Sequence, residues 1–305
     1  MLVLLFPGQG SQSPGMLTPW LDLPGARESV ARWSELTGLD LSALGTTGTA
    51  GQVRDTAVAQ PLLTTAALLS ARALLAETAG APDAVCGHSI GELPALAVAG
   101  VLTDDEALRL AGRRGAAMAQ AAAARPTGMS AVLGGDADTV VAAVEAAGLQ
   151  VATVNVPGQV VVGGDRDALA ALTASPPAGA RVRPLDVAGA FHTRAMAPAR
   201  EALEQAVADL SPADPRCAVY ANADGAAVVD GAALVARLVA QLTGPVRFDR
   251  CLDAMAAAGA RRVVEVAPGG TLAGMAKRAL PGAAIVALKG PDDLAAAAEL
   301  AGVAA

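Results

Sequence analysis

The sequence is poor in the residues on which several kinds of function depend. Aromatic residues make up 2% of its 305 residues, and the 22 basic residues are nearly all arginines, since lysine occurs only at Lys277 and Lys289. The formal net charge is −7, which argues against a nucleic acid as partner, because nucleic-acid-binding proteins present basic surfaces. Hydrophobic residues reach 53%, mostly alanine, leucine and valine, so we expect a core of small aliphatic side chains.

Cysteine is also scarce. Cys86, Cys217 and Cys251 are odd in number and too far apart in sequence for a metal motif, so we expect neither a metal site nor a disulfide framework. This usage is typical of a reducing cytoplasm, which is the predicted location. The apolar start, Met1–Phe6, has no basic segment and breaks at Pro7, which disfavours a signal peptide. No uninterrupted apolar run approaches the roughly 20 residues of a membrane span, so no membrane partner is expected.

The order of predicted elements indicates an α/β fold. Short apolar strands alternate with helical segments in the first and last parts of the chain, as in a parallel sheet with helices on both faces. Between these parts the order becomes β-α-β-β-α-β, the ferredoxin-like arrangement, with a hairpin signal at Pro157-Gly158. We therefore predict a core domain of residues 1–125 and 194–305 and an inserted subdomain of residues 126–193.

A GxSxG sequence, Gly87-His88-Ser89-Ile90-Gly91, lies between a predicted strand and a predicted helix. A tight strand–turn–helix elbow needs small residues two positions before and two positions after its serine. The turn also places the serine at a helix N-terminus, where backbone amides favour negative charge. Ser89 is therefore the candidate nucleophile, and the alternative is a structural turn serine.

A serine nucleophile needs a base, and His88 and His192 are the only histidines. His88 follows the strand directly and precedes Ser89 in a tight turn, so we expect its ring to point away from the hydroxyl and to pack or hydrogen-bond elsewhere. His192 lies where the predicted subdomain returns to the core, and clefts form between domains. His192 is therefore the better candidate base, with a surface-loop histidine as the alternative.

Further polar residues are candidates for lining the same site. Gln9 lies in the segment Phe6–Gly10, directly after the first strand, where the loops of parallel sheets line a ligand crevice. Arg114 lies inside a long predicted helix. It is either a solvated or snorkelling side chain, as is usual for a helical arginine, or a bidentate clamp that binds a carboxylate. Gln60 and Asn155 are polar residues at the ends of predicted secondary-structure elements. The alternative to a site role for both is a role in a turn or a helix cap.

Taken together, the motifs resemble those of malonyl-CoA:acyl carrier protein transacylases, the acyltransferase family of bacterial fatty-acid and polyketide synthesis. The ordered set covers essentially the whole chain: FPGQGSQ at 6–12, AQP at 59–61, GHSIGE at 87–92, RRGAAM at 113–118, NVPGQVVVGG at 155–164, AFH at 190–192, QLTGPVRF at 241–248 and VAPGGTLAGMAKR at 266–278. Such a series is far more specific than any one motif. The resemblance implies an α/β-hydrolase-like core with a parallel sheet and a ferredoxin-like subdomain, in agreement with the order of elements.

The resemblance also implies the catalytic residues. Ser89 would be the nucleophile and His192 its base, with the imidazole held by the backbone carbonyl of Gln241 instead of by a carboxylate. The oxyanion hole would consist of the backbone amides of Gln9 and Ile90.

On the substrate side, the resemblance implies that Arg114 pairs with the malonyl carboxylate and that Gln60 and Asn155 line the pocket. Phe191, directly before the candidate base, favours malonyl, since methylmalonyl-selective members tend to carry serine at that position. Gly189 departs from the HAFH sequence that is common among malonyl-selective members.

The implied activity is transfer of malonyl from malonyl-CoA to the phosphopantetheine thiol of acyl carrier protein through a malonyl-serine. No bound cofactor or metal is expected, and the family expectation is a monomer that meets the carrier protein transiently. Because carrier proteins are acidic and this chain is too, docking would need a local basic patch. The candidates for that patch are Arg181, Arg183, Arg194, Lys277 and Arg278.

The residues themselves leave two other functions open. A serine hydrolase or thioesterase usually has an acidic third triad member, and Asp186 is the nearest acid upstream of His192. A non-catalytic module that binds carrier protein is the second alternative, and it is disfavoured because every catalytic position is filled.

Overall fold

The computed structural model describes residues 1–78 and 80–302. Residue 79 and residues 303–305, all within the predicted core domain, lie outside the described part. The strands are β1 (Leu2–Phe6), β2 (Ala84–Gly87), β3 (Thr127–Gly134), β4 (Gln150–Val156), β5 (Gln159–Asp165), β6 (Ala180–Leu185), β7 (Ala218–Tyr220), β8 (Ala227–Val228), β9 (Val246–Arg247), β10 (Arg262–Glu265) and β11 (Ala284–Ala287).

The helices pack around two sheets. They are α1 (Ala26–Thr37), α2 (Leu41–Thr46), α3 (Ala50–Arg54), α4 (Thr56–Ala76), α5 (Glu92–Ala99), α6 (Asp104–Ala123), α7 (Ala137–Ala146), α8 (Arg166–Ala174), α9 (Ala197–Val207), α10 (Gly231–Ala240), α11 (Phe248–Ala257), α12 (Thr271–Ala279) and α13 (Leu294–Ala301). Short 3₁₀ turns occupy Thr18–Trp20, Ser89–Gly91, Arg194–Met196, Gln241–Thr243 and Pro291–Asp293.

The larger sheet has six strands in the order β11-β10-β1-β2-β7-β8. Its neighbours are parallel except β7 and β8, which are antiparallel. Every residue of β1 and β2 is buried, as expected for strands covered by helices on both faces. This sheet confirms the predicted parallel α/β core. Phe6 pairs with Gly87, so the loops that follow β1 and β2 emerge side by side at one edge.

The smaller sheet has the order β6-β3-β5-β4-β9. Its first four strands, with α7 and α8, follow one another as β-α-β-β-α-β, which is the ferredoxin-like arrangement. The strands β4 and β5 form the predicted hairpin, and Gly158 in its turn has a φ of 74°. The fifth strand, β9, comes from later in the chain and pairs with β4 in parallel, so this sheet takes a strand from outside residues 126–193. The subdomain boundaries stay a prediction.

Two long helices, α4 and α6, pack against each other beside the larger sheet. α6 begins with a capping box, in which the Thr103 hydroxyl accepts from the Glu106 amide and the Glu106 carboxylate accepts from the Thr103 amide. α4 is long and apolar enough to span a membrane by length and composition. Its most apolar window is 78% buried in protein, which favours a core helix.

Three helices and two strands were not predicted from the sequence. α1 buries a narrow face of Ala26, Val30 and Trp33, and its remaining positions are largely polar, so its apolar periodicity is weak. α2 and α3 have six and five residues, and β8 and β9 have two each, which is too short for any periodic signal.

Candidate active site

Ser89 lies in a sharp turn between β2 and α5. Its φ is 55°, in the left-handed region that residues other than glycine rarely adopt. A Cβ atom on Gly87 would lie 2.1 Å from the carbonyl carbon of Gly91, and one on Gly91 would lie 2.1 Å from the carbonyl oxygen of Phe6. The turn therefore requires glycine at both positions, as the GxSxG sequence predicts.

The hydroxyl of Ser89 faces His192. Ser89 Oγ lies 2.7 Å from His192 Nε2, and His192 Nδ1 lies 2.9 Å from the carbonyl oxygen of Gln241. Because a carbonyl oxygen can only accept, Nδ1 carries the proton and Nε2 is left to accept from the serine hydroxyl. Burial, and next the charge of Arg114, lower the pKa of His192 to about 3, so the imidazole is neutral at neutral pH. The pair has the geometry of a hydroxyl nucleophile and its general base.

Arg114 is fully buried, at 0% exposure, and its guanidinium lies beside that pair. Nη1 donates to Gln60 Oε1 at 2.8 Å, and Nη2 donates to Ser89 Oγ at 3.2 Å and to Gln241 Oε1 at 3.0 Å. Nε has no partner among the described residues, and none of their ion pairs includes Arg114. Burial lowers the pKa of Arg114 to about 10, opposed by the charge of Glu92, so the group stays cationic at neutral pH. A buried cation with neutral acceptors and a free donor can bind a carboxylate.

Two residues of the site, Asn222 and Glu92, were not predicted from the sequence. Asn222 Oδ1 accepts from the Ser89 amide at 2.8 Å, and Asn222 Nδ2 donates to the Gly87 carbonyl at 2.7 Å, so this side chain holds both sides of the turn. Glu92 accepts from the Asn222 amide at 2.7 Å and from Gln241 Nε2 at 2.6 Å. A signal existed for both, since Glu92 ends the GHSIGE motif and Asn222 follows β7, the strand next to β2.

A cavity of about 660 Å³ opens over Ser89. It lies between residues of the larger sheet's loops and helices and residues of the smaller sheet, such as Met129, Thr153 and Val161. The predicted site residues that line it are Gln9, Gln60, Ser89, Ile90, Arg114, Asn155, Phe191 and His192. Gln241 lies behind them, in contact with Arg114 and His192. The structure thus brings all nine predicted residues together.

The backbone amides of Gln9 and Ile90 have no hydrogen-bond acceptor within residues 1–78 and 80–302. The Gln9 side chain is engaged elsewhere, since its Nε2 donates to Thr56 Oγ1 at 3.1 Å. Two free amides that line the cavity can stabilise an oxyanion that develops on a bound carbonyl.

His88 points away from the serine, as predicted. Its Nε2 lies 2.9 Å from Asn155 Oδ1, and its ring packs edge-on against Phe248 with centroids 5.3 Å apart. Burial lowers the pKa of His88, which favours a neutral ring in this packed position. The structure therefore supports the expected role of His88 as a packed and hydrogen-bonded histidine.

Among residues 1–78 and 80–302, no acidic side chain hydrogen-bonds to His192 to complete a hydrolase triad. Asp186 is exposed and pairs with Arg54 on α3, and the Nδ1 of His192 is engaged by the Gln241 carbonyl. In the part of the chain that the structure describes, no cluster of three or more His, Cys, Asp or Glu residues is placed to hold a metal ion.

Comparisons with known proteins find similar sequences and structures over nearly the whole chain. The family described as acyl transferase domain matches residues 3–298. A malonyl CoA-acyl carrier protein transacylase of Mycobacterium tuberculosis is 49% identical over 296 residues, which are 96% of this chain and 98% of the relative. One of Escherichia coli is 37% identical over 303 residues, which are 97% and 98% of the two chains. The crystal structure of MCAT from Mycobacterium tuberculosis has a TM-score of 0.93 at 48% identity, covering 98% of this chain and 99% of that one.

The clamp that Asn222 forms on the turn can be tested by substitution. Asn222→Ala would leave the Ser89 amide and the Gly87 carbonyl without partners, and a buried unpaired polar group costs about 1–3 kcal/mol. We expect the free energy of unfolding in guanidinium chloride to fall by at least that amount, and labelling of Ser89 by a serine-directed phosphonate to slow.

The matched control is Thr65→Val, which removes a buried hydroxyl that has no partner among the described residues and should not destabilise the protein. If Asn222→Ala were as stable and as reactive as this control, Asn222 would not hold the turn.

Proposed function

The chain belongs to the acyl transferase domain family, and from this premise we propose that it transfers the malonyl group of malonyl-CoA to the phosphopantetheine thiol of acyl carrier protein. The relatives of Mycobacterium tuberculosis and Escherichia coli carry the name of that activity. The observation that carries the proposal is the buried Arg114 guanidinium beside the Ser89 hydroxyl, because a cation at this place fits an acyl group that ends in a carboxylate. Malonyl carried on that protein is the extender unit for fatty-acid or polyketide synthesis.

The first half-reaction forms a malonyl-serine. Ser89 Oγ attacks the thioester carbonyl of malonyl-CoA while its proton passes to His192 Nε2, over the 2.7 Å that joins these atoms. Burial, and next the positive charge of Arg114, lower the pKa of His192, and a malonyl carboxylate bound to Arg114 would offset that charge. An acid-bearing acyl group would therefore make the imidazole more basic at the moment of attack.

The thioester carbonyl becomes an oxyanion in the tetrahedral intermediate. The free backbone amides of Gln9 and Ile90 are the donors for it in this proposal. The intermediate collapses as the carbon–sulfur bond breaks, and the thiol of CoA leaves with the proton from His192.

The second half-reaction repeats these steps with a different nucleophile. The phosphopantetheine thiol gives its proton to His192 and attacks the malonyl-serine ester, and the breaking ester bond returns the proton to Ser89 Oγ. Water must be kept from this ester, because an acyl-serine is otherwise a hydrolase intermediate. Clamping the malonyl carboxylate at Arg114 orients the ester toward the incoming thiol.

Two residues lining the cavity bear on substrate choice. Gln60 accepts from Arg114 Nη1 and so helps to aim the guanidinium into the cavity. Phe191 lines the cavity directly before His192, which supports malonyl over methylmalonyl as the substrate.

The remaining features of the proposal concern organisation and partners. We propose a core of residues 1–125 and 194–305 with a subdomain of residues 126–193, no bound cofactor, a monomer and a cytoplasmic location. Acyl carrier protein would dock transiently on a basic patch. All five candidates for that patch are exposed, and they are Arg181, Arg183, Arg194, Lys277 and Arg278.

The direct test of this function is intact mass spectrometry of the protein incubated with malonyl-CoA. The native protein should gain one malonyl group, which added phosphopantetheinylated carrier protein should remove. Ser89→Ala should gain none, whereas the control Ser130→Ala, a buried serine of β3 outside the cavity, should behave as the native protein does. Hydrolysis faster than transfer would indicate a hydrolase, and an unmodified native protein would indicate a binding module.

Arg114→Ala tests the carboxylate clamp. Removing a buried charged partner costs about 2–5 kcal/mol, so kcat/KM for malonyl-CoA should fall by at least tenfold relative to kcat/KM for acetyl-CoA. The neighbouring Arg113 is exposed on the same helix, and Arg113→Ala is the matched control, expected to leave the ratio unchanged. An unchanged kcat/KM for malonyl-CoA in Arg114→Ala would rule out the clamp.

A further inference from the structure

Glu92 is a buried carboxylate at the start of α5, three residues after Ser89. It forms no ion pair among the described residues, and both of its oxygens accept from N–H groups. Oε1 accepts from the Asn222 amide at 2.7 Å, and Oε2 accepts from Gln241 Nε2 at 2.6 Å. A buried carboxylate placed this close to a catalytic serine needs an explanation, because burying such a charge is costly.

The contacts of Gln241 show what this carboxylate does. Its side-chain Nε2 faces two acceptors, the Glu92 carboxylate and Asn222 Oδ1 at 3.0 Å, while its Oε1 accepts from Arg114 Nη2 at 3.0 Å. The two ends of an amide are distinguished by such partners, since one end only donates and the other only accepts. Glu92 therefore fixes which end of the Gln241 side chain faces Arg114.

We propose that Glu92 is a positioning residue for the malonyl carboxylate. Acting through the Gln241 amide, it holds the Arg114 guanidinium in place, and its charge partly balances the buried cation. This inference rests on the proposed function, because it concerns how the acyl carboxylate is recognised. Gln241 then has two roles. Its backbone carbonyl accepts from His192, and its side chain connects Glu92 to Arg114.

The charge state of Glu92 decides whether this arrangement holds. Burial raises the pKa of Glu92 to about 7, opposed by the hydrogen bond from the Asn222 amide and by the charges of Arg114 and Arg237. The Cys86 thiol also interacts with the charge of Glu92, and its hydrogen bond with Cys251 and its burial raise its pKa, so that thiol is neutral. A proton on either Glu92 oxygen would face an N–H donor, so the neutral form loses one of its two bonds. The ionised form, present above pH 7, is thus the competent one, and malonyl selectivity should fall as the pH falls through 7.

Glu92→Gln tests the proposal with almost no change of shape. The new amide can keep one acceptor on the Asn222 amide, but it then presents a donor to Gln241, whose side chain must turn and point its own Nε2 at Arg114. We expect kcat/KM for malonyl-CoA to fall about ten- to a hundredfold, the range for a charged hydrogen bond, and kcat/KM for acetyl-CoA to change less than about threefold.

The matched control is Glu265→Gln. Glu265 is the other buried carboxylate with a raised pKa, and it accepts from the amides of Gly270, Leu272 and Ala273 at the start of α12, outside the cavity. Its substitution should lower stability without moving the ratio of malonyl to acetyl kcat/KM. If folded Glu92→Gln keeps the native ratio, as this control does, the role is only structural and the proposal is wrong.

A second measurement uses the native protein and does not depend on a variant that folds. The ratio of malonyl to acetyl kcat/KM should fall as the pH is lowered from about 8 to 6, through the raised pKa of Glu92 at about 7. Histidines ordinarily titrate in the same range. Titration of His192 does not account for such a fall, because kcat/KM reports ionisations of the free enzyme, in which the pKa of His192 is about 3. A ratio independent of pH would overturn the proposal. A native protein that forms no malonyl-serine at all would instead refute the proposed function.

Discussion

A guanidinium without access to water lies beside the hydroxyl of Ser89, and the polar groups of the site are arranged around it. Burying an ion costs several kcal/mol unless neighbouring groups compensate. Here Gln60, Gln241 and the serine hydroxyl accept from Arg114. Glu92 provides a negative charge nearby, separated from Arg114 by the side chain of Gln241, which bonds both. No carboxylate among the described residues forms an ion pair with Arg114, and in the proposed function an acyl group that ends in a carboxylate would supply one. In that proposal, affinity for malonyl and basicity of His192 depend on the same charge.

The fold concentrates these groups because it places loop ends from distant parts of the chain at one edge. The loops after β1, β2 and β7 supply Gln9, Ser89 and Asn222, and these three strands are adjacent and parallel. The long helices α4 and α6 bring Gln60 and Arg114 in from the side. The smaller sheet covers the opening, and the chain that leaves it carries His192. Neither sheet alone forms the cavity, which explains why Ser89 and His192 come from different parts of the fold.

The residues themselves predicted the main features of this arrangement. A GxSxG sequence between strand and helix, together with only two histidines, was enough to predict the Ser89–His192 pair. Arg114 could not be recognised in this way, because a helical arginine is usually solvated, and only the family resemblance indicated its role. Glu92 and Asn222 were missed because their function comes from a contact between residues 130 positions apart, which no local pattern encodes. The helices α1, α2 and α3 were missed for a different reason. They bury too few residues to give a recognisable apolar periodicity in the sequence.

A crystal structure of the acyl-enzyme, obtained by soaking with malonyl-CoA in the absence of carrier protein, tests the central claim most directly. The buried guanidinium predicts that the malonyl carboxylate on Ser89 accepts from Arg114 at the usual distance of about 2.7–3.2 Å. A malonyl group whose carboxylate points to the cavity mouth, away from Arg114, would contradict it.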